Sequence, residues 1–174
     1  MTVRIGIIGC GGIANGKHMP ALSQVKEAEM VAFCDLIVER AVEAKTAFGT
    51  EDAQVFSDYK EMLAEAELDV VHVCTPNASH AELSIAALEA DCHVMCEKPM
   101  AKTTEEAKAM IDAANRTGKK LTIGYQNRFR KDSRYLHEVC AEGQLGNIYF
   151  GKAHAIRRRA VPTWGVCLLY TSDA

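Results

Sequence analysis

Short apolar runs alternate along this chain with amphipathic stretches, and few folds tolerate that order. VRIGIIG (3–9), EMVAFCD (29–35), DVVHVCT (69–75), CHVMCEK (92–98) and LTIGYQ (121–126) are all of strand length and mostly apolar. Runs of that kind, separated by helical patterns, specify a parallel sheet with crossover helices on its faces. A first helix is expected from near Gly12 toward Val25, kinked or interrupted at Pro20. LIVERAVEAKTAFG (36–49) sets Ile37, Ala41, Ala44 and Phe48 on one helical face and stops at Gly49. A short helix is expected near Tyr59–Ala66. Ser79–Glu82 and Thr103–Glu106 both fit capping boxes. Leu83, Ala86, Ala87 and Ala90 form the apolar stripe behind the first box. Ala107, Met110, Ile111 and Ala114 form the stripe behind the second, and Gly118 stops that helix. After a helix from Lys131 to Glu142, NIYFGKAHAIRR (147–158) is a strand-like run with no helix behind it. The alternation ends there, so a domain boundary is expected between 120 and 148.

The 174 residues allow one domain, or one domain and part of a second. A net charge of −3 gives no reason to expect nucleic acid or an anionic membrane as partner. Arg157, Arg158 and Arg159 form a local basic run that reads as a solvated face. No stretch approaches the ~18 consecutive apolar residues of a membrane span. The Gly-rich N-terminus lacks a signal-peptide pattern, so a cytoplasmic location is expected. Reduced thiols are expected there. Cys34, Cys74, Cys92 and Cys96 lie in or beside the apolar runs and read as small buried hydrophobes. The Cys92/Cys96 spacing fits no redox or zinc pattern, and no metal site is expected.

Chemistry concentrates where strands end. The first strand runs into Gly9-Cys10-Gly11-Gly12-Ile13-Ala14, a G-x-G-x-x-A pattern between a strand and a helix. Gly9 permits the tight turn, Gly11 lets a pyrophosphate approach the backbone, and the small Ala14 lets helix and strand pack closely. The free amides and dipole of the helix start, at Gly12 and Ile13, favour the phosphate charge. Asp35 closes the second strand, where a carboxylate accepts hydrogen bonds from the adenosine ribose. These residues predict a dinucleotide site. Asp35 would repel the extra phosphate of NADP, and the next residue is Leu36 rather than a cation. NAD is therefore expected over NADP. Thr75-Pro76-Asn77 follows a strand at the same crevice and reads either as a turn or as a cofactor contact. His80, in the first turn of the next helix, reads as polar packing rather than as a base, and is grouped with the candidate cofactor-binding residues. Glu97-Lys98-Pro99 ends a further strand. A lysine there can hydrogen-bond or protonate an oxygen at a reacting carbon, and Pro99 is a candidate for a cis bond to Lys98.

GIIGCGGIA, Asp35, TPNASH and CEKPMA, in this order and spacing, resemble the glucose–fructose oxidoreductase / inositol dehydrogenase / MocA family of NAD(P)-dependent oxidoreductases. The resemblance covers residues 3–165. It implies a Rossmann doubly wound parallel sheet (1–124), then a linker and the truncated start of a second α/β domain (125–166). It implies hydride exchange with a hydroxyl-bearing carbon of a small-molecule substrate, usually a sugar, polyol or related compound, and a homo-oligomeric parent. Lys98 matches the family's catalytic lysine, and Glu97 its neighbour near the nicotinamide. YQNRFR (125–130) matches the segment leaving the Rossmann domain, and Trp164 stands where a residue could wall the substrate pocket.

The chain also departs from the family pattern. Members are expected to continue past the equivalent of Trp164 to an active-site Asp and His, the latter commonly the base, and those residues have no match here. His137 and His154 do not stand in that motif. CLLYTSDA (167–174) can be encoded by a string resembling a transposon-end adapter used for sequencing libraries, so natural sequence is expected to end near Val166. On that expectation the chain is the cofactor-binding part of an oxidoreductase, with negligible turnover alone. A non-catalytic NAD-binding or sensor module is the alternative.

Overall fold

The computed structural model describes residues 2–154 and 156. Trp164, the basic run at 157–159 and the tail 167–174 lie outside the described residues.

Among the described residues, six parallel strands form one sheet in the order β3-β2-β1-β4-β5-β6. They are β1 (Val3–Ile8), β2 (Ala28–Cys34), β3 (Gln54–Phe56), β4 (Val70–Val73), β5 (His93–Cys96) and β6 (Leu121–Ile123). Among the described residues, six longer helical segments connect or follow them, beside two short 3-10 turns at Asn77–Ser79 and Gln126–Phe129. The first, α1, spans residues 12–22, with a wide π turn at Ala14–His18 and an α turn at Met19–Leu22. The others are α2 (Val38–Phe48), α3 (Tyr59–Glu65), α4 (His80–Glu89), α5 (Thr104–Thr117) and α6 (Lys131–Ala141). The order reverses between β1 and β4, which opens a crevice beyond the strand ends.

The side chains sort by the two-residue period of a strand. Ile8, Ala32, Cys34, Val71, Val73, Val94 and Cys96 join the core that includes residues of α3, α4 and α5. Ile5, Ile7, Phe33 and Cys74 join the second core with Ala14 and Met19 of α1 and Ala41 and Ala44 of α2. Both faces of the sheet are therefore covered, which is why its strands read as near-continuous apolar runs.

Several local expectations are corrected. β3 escaped the sequence reading. α1 ends at Leu22, short of Val25, and its ladder changes from π to α turns beside Pro20. Proline lacks an N–H and crowds the carbonyl four residues back, and the π turn just before Pro20 widens the helix where that crowding falls. The Ser79 capping box does not form. Ser79 donates instead to Thr75 Oγ1 (2.8 Å), with Pro76 O at 3.0 Å, and Glu82 accepts from the Tyr59 hydroxyl at 2.8 Å. At α5 the Thr103 hydroxyl does accept from Glu106 N–H, while the Glu106 carboxylate reaches Lys102 N–H. The buried stripe of α5 centres on Met110 and Ala113, leaving Ile111 exposed. Ile37, at the N-cap of α2, is exposed as well. The described part of the strand-like run, residues 147–154, is exposed and pairs with no strand.

Candidate functional site

The crevice is built from the ends of β1, β2, β4 and β5. At the end of β1 the chain turns sharply at Gly9, whose φ is +92°. A Cβ there would stand 2.9 Å from the carbonyl carbon of Cys74 and from the amide nitrogen of Thr75. Glycine is thus required twice over, by the dihedral and by the close approach of the β4 end. Cys10 and Ala14 then bury against the sheet, at 1% and 0% exposure. Gly11 and Gly12 between them face open space, with no protein atom within 4 Å of a built Cβ. The first amides of α1 at Gly12 and Ile13 have no carbonyl one turn back to donate to, as at any helix start. Asn15, which the sequence reading did not single out, donates to the carbonyls of Cys10 (2.7 Å) and Gly11 (3.1 Å) and holds the bend from inside.

Asp35 closes β2 beside this bend. Its Oδ2 accepts the Cys10 N–H at 2.8 Å, and its Oδ1 accepts the Ile37 N–H at 2.9 Å. The acid and the glycine bend are therefore one hydrogen-bonded unit. Each carboxylate oxygen keeps a further lone pair for a ligand. Leu36, next in the chain, is 92% exposed and carries no charge to the site.

Beyond β4, Thr75 and Asn77 sit partly buried at the crevice. His80 is 1% exposed, with Nε2 2.9 Å from Thr75 O and Nδ1 2.7 Å from Pro99 O. Both nitrogens face backbone carbonyls, so His80 ties the loop after β4 to the loop after β5. That is the polar-packing arrangement, and any part it has toward a ligand acts through those loops.

β5 delivers Glu97 and Lys98 to the same edge of the sheet. Two inter-strand spacings separate β5 from β1, roughly 10 Å. Lys98 is exposed, and its ammonium makes no ion pair among the described residues. The Lys98–Pro99 peptide is cis, as the sequence suggested. Glu97 is 8% exposed, a buried charge that needs partners. Its Oε2 accepts the Lys98 N–H at 3.0 Å, and its Oε1 lies 2.9 Å from His18 Nε2. Gly124, just past β6, leaves room for that carboxylate: a Cβ there would approach Glu97 Oε1 to 3.2 Å.

His18 and His72 are the residues the sequence reading missed. His18 lies four positions after the buried Ala14, on the same helix face. His72 occupies the sheet face of Val70 and Cys74, and Glu97 occupies the corresponding face of β5. Two polar side chains on an inward face are a signal, because buried polar groups seek one another. Here Nδ1 of His18 and Nδ1 of His72 are 3.0 Å apart, with the rings edge to face. Burial, and then the neighbouring His18, push the His72 imidazole down to about 4. The Cys10 and Cys34 thiols beside the bend are pushed up to about 12, chiefly by burial and then by Asp35.

Comparison with known proteins places this geometry. A family model described as an oxidoreductase family with an NAD-binding Rossmann fold matches residues 3–125. The chain is 42% identical over 164 residues to the D-glucoside 3-dehydrogenase of Escherichia coli, covering 94% of this chain and 46% of that protein. A dehydrogenase from Bordetella pertussis, solved in complex with NADH and UDP-GlcNAcA, superposes with a TM-score of 0.80 at 33% identity, over 85% of this chain and 42% of that one. A 3-ketoreductase from Actinomadura kijaniata, in complex with TDP-benzene and NADP, gives 0.75 at 27% identity, over 82% and 44%. The chain thus spans about half the length of these relatives.

Proposed function

Because the chain belongs to the glucose–fructose oxidoreductase / inositol dehydrogenase / MocA family of oxidoreductases, we propose that its crevice binds NAD and that Lys98 serves oxidoreduction of a sugar, polyol or related hydroxyl or carbonyl compound. The observation that carries this reading is the 2.8 Å bond from Cys10 N–H to Asp35, which joins the glycine bend and the acid into one surface. The open faces of Gly11 and Gly12 fit a pyrophosphate, and the helix start supplies positive potential to it. Asp35 accepts from the adenosine ribose hydroxyls with its remaining lone pairs. It disfavours a further phosphate there, and the uncharged Leu36 offers no compensation.

Thr75 and Asn77 line the path from the bend toward β5, with His80 holding their loop in register. Bound nicotinamide supplies the hydride acceptor or donor. The Lys98 ammonium would hydrogen-bond the substrate oxygen and stabilise charge on it, while the hydroxyl proton passes to or from a base that the described residues do not supply. Glu97 fixes the backbone from which Lys98 projects.

Calorimetric titration of the chain with NAD and NADP tests the cofactor side. NAD is expected to bind at least about tenfold more tightly, the discrimination worth ~1.4 kcal/mol. D35N is expected to narrow the gap. Tighter binding of NADP by the unaltered chain would reject the assignment of Asp35.

A further inference from the structure

Glu97 is the hub of a contact chain that crosses three elements. Its Oε1 meets His18 of α1, its Oε2 meets the Lys98 N–H after β5, and His18 in turn meets His72 of β4. α1 also carries the glycine bend, so this chain links the bend to Lys98 by a route the sheet ladder does not provide: β1 and β5 are not neighbours.

The hydrogen-bond directions follow from chemistry. As a carboxylate, Glu97 only accepts, so His18 Nε2 donates to it. A neutral His18 then has a lone pair on Nδ1. The 3.0 Å contact requires the proton to sit on Nδ1 of His72, the less common tautomer of a free neutral imidazole. Donation runs from His72 to His18 to Glu97, and Lys98 N–H donates to the other carboxylate oxygen. If His18 gains a proton, it donates at both ends, and His72 accepts through Nδ1 with its proton on Nε2. Both arrangements fit the same heavy-atom positions.

We infer that His18 and His72 are positioning residues, which act through Glu97 to hold the Lys98 backbone in fixed relation to the glycine bend. The inference rests on the reading of Lys98 and the bend given above. It assigns no bond-making role to either histidine. Each sets the direction of the next hydrogen bond, and a misdirected donor would release the carboxylate that anchors Lys98.

Two measurements on the 174-residue chain test it. In long-range proton–nitrogen NMR spectra of the labelled protein at about pH 7.5, His72 is expected to carry its proton on Nδ1 and His18 on Nε2. In H18L the His72 ring should revert to the Nε2 tautomer. The second measurement is the affinity for NADH relative to ADP-ribose, which shares the adenosine and pyrophosphate but lacks nicotinamide. H18L and H18N should lower that ratio about tenfold. H18Q, whose amide nitrogen reaches the position of Nε2, should restore it to within about threefold, and ADP-ribose affinity should hold within about twofold throughout. An unchanged ratio in H18L, or an equal fall in ADP-ribose affinity, overturns the positioning role. An Nε2 tautomer of His72 beside a His18 that the same spectra show to be neutral overturns the donation chain even when both ligands bind. A chain that binds neither ligand overturns the cofactor reading, and the link to Lys98 with it, whatever the tautomers show.

Discussion

Acid should weaken this fold in a way traceable to one ring. His72 takes a proton near 6.5 when free of the fold, but only near 4 within it. Between those values the unfolded chain binds more protons than the folded one, so stability falls as pH falls through that window. Above 6.5 the ring is neutral in both states and contributes nothing. At ~1.36 kcal/mol per pH unit, lowering the pH from about 7 to about 4.5 removes ~2.5 kcal/mol, or about 2 kcal/mol after allowing for the ring's partial exposure. For a chain of this size that is about 4–8 °C in Tm. Urea unfolding at the two pH values gives the loss directly, with H72N as reference. Asparagine can still donate toward His18 Nδ1 but cannot titrate. The unaltered chain should lose about 2 kcal/mol more than H72N over the same interval. Equal losses, agreeing to about 0.5 kcal/mol, would refute the argument, because the acid sensitivity would then belong to other groups.

Three further substitutions or treatments probe the rest of the site. G9A forces a side chain into the left-handed region and against the Cys74–Thr75 backbone; a loss of about 2–4 kcal/mol in urea unfolding is expected, together with loss of NAD binding in titration. K98M removes an exposed ammonium without an ion pair among the described residues; stability by the same assay should stay within about 0.5 kcal/mol, which separates the role proposed for Lys98 from the fold. Thiol labelling at about pH 8 followed by mass mapping should leave the buried Cys10, Cys34, Cys74, Cys92 and Cys96 unmodified until denaturant is added, while the partly exposed Cys140 reacts.

How legible the site was depends on the kind of signal each residue leaves. The glycine bend, Asp35 and the Glu97-Lys98-Pro99 stretch were readable because each lies at the end of an apolar run, and strand ends of a parallel sheet share one edge. Asn15, His18 and His72 were not, because their partners are distant in sequence or are backbone atoms. His18 and Glu97 are 79 positions apart and meet at 2.9 Å only because α1 packs over the face that β4 and β5 present. The stripe of α5 slipped for a related reason: apolar spacing marks a helix face to within a residue, while the neighbouring elements choose which of Met110, Ile111 and Ala113 is covered.

The α/β class, the parallel sheet and the place of the crevice follow from apolar period, glycine dihedral freedom and helix punctuation, all local properties of the chain. Which polar groups meet inside that frame is a matter of packing. Asp35 turning to the Cys10 amide, His80 joining two loops, and the path from His72 through His18 to Glu97 are all long-range pairings. Their cause is the cost of burying a polar group without a partner, and that cost is set by packing, which no single stretch of the chain encodes.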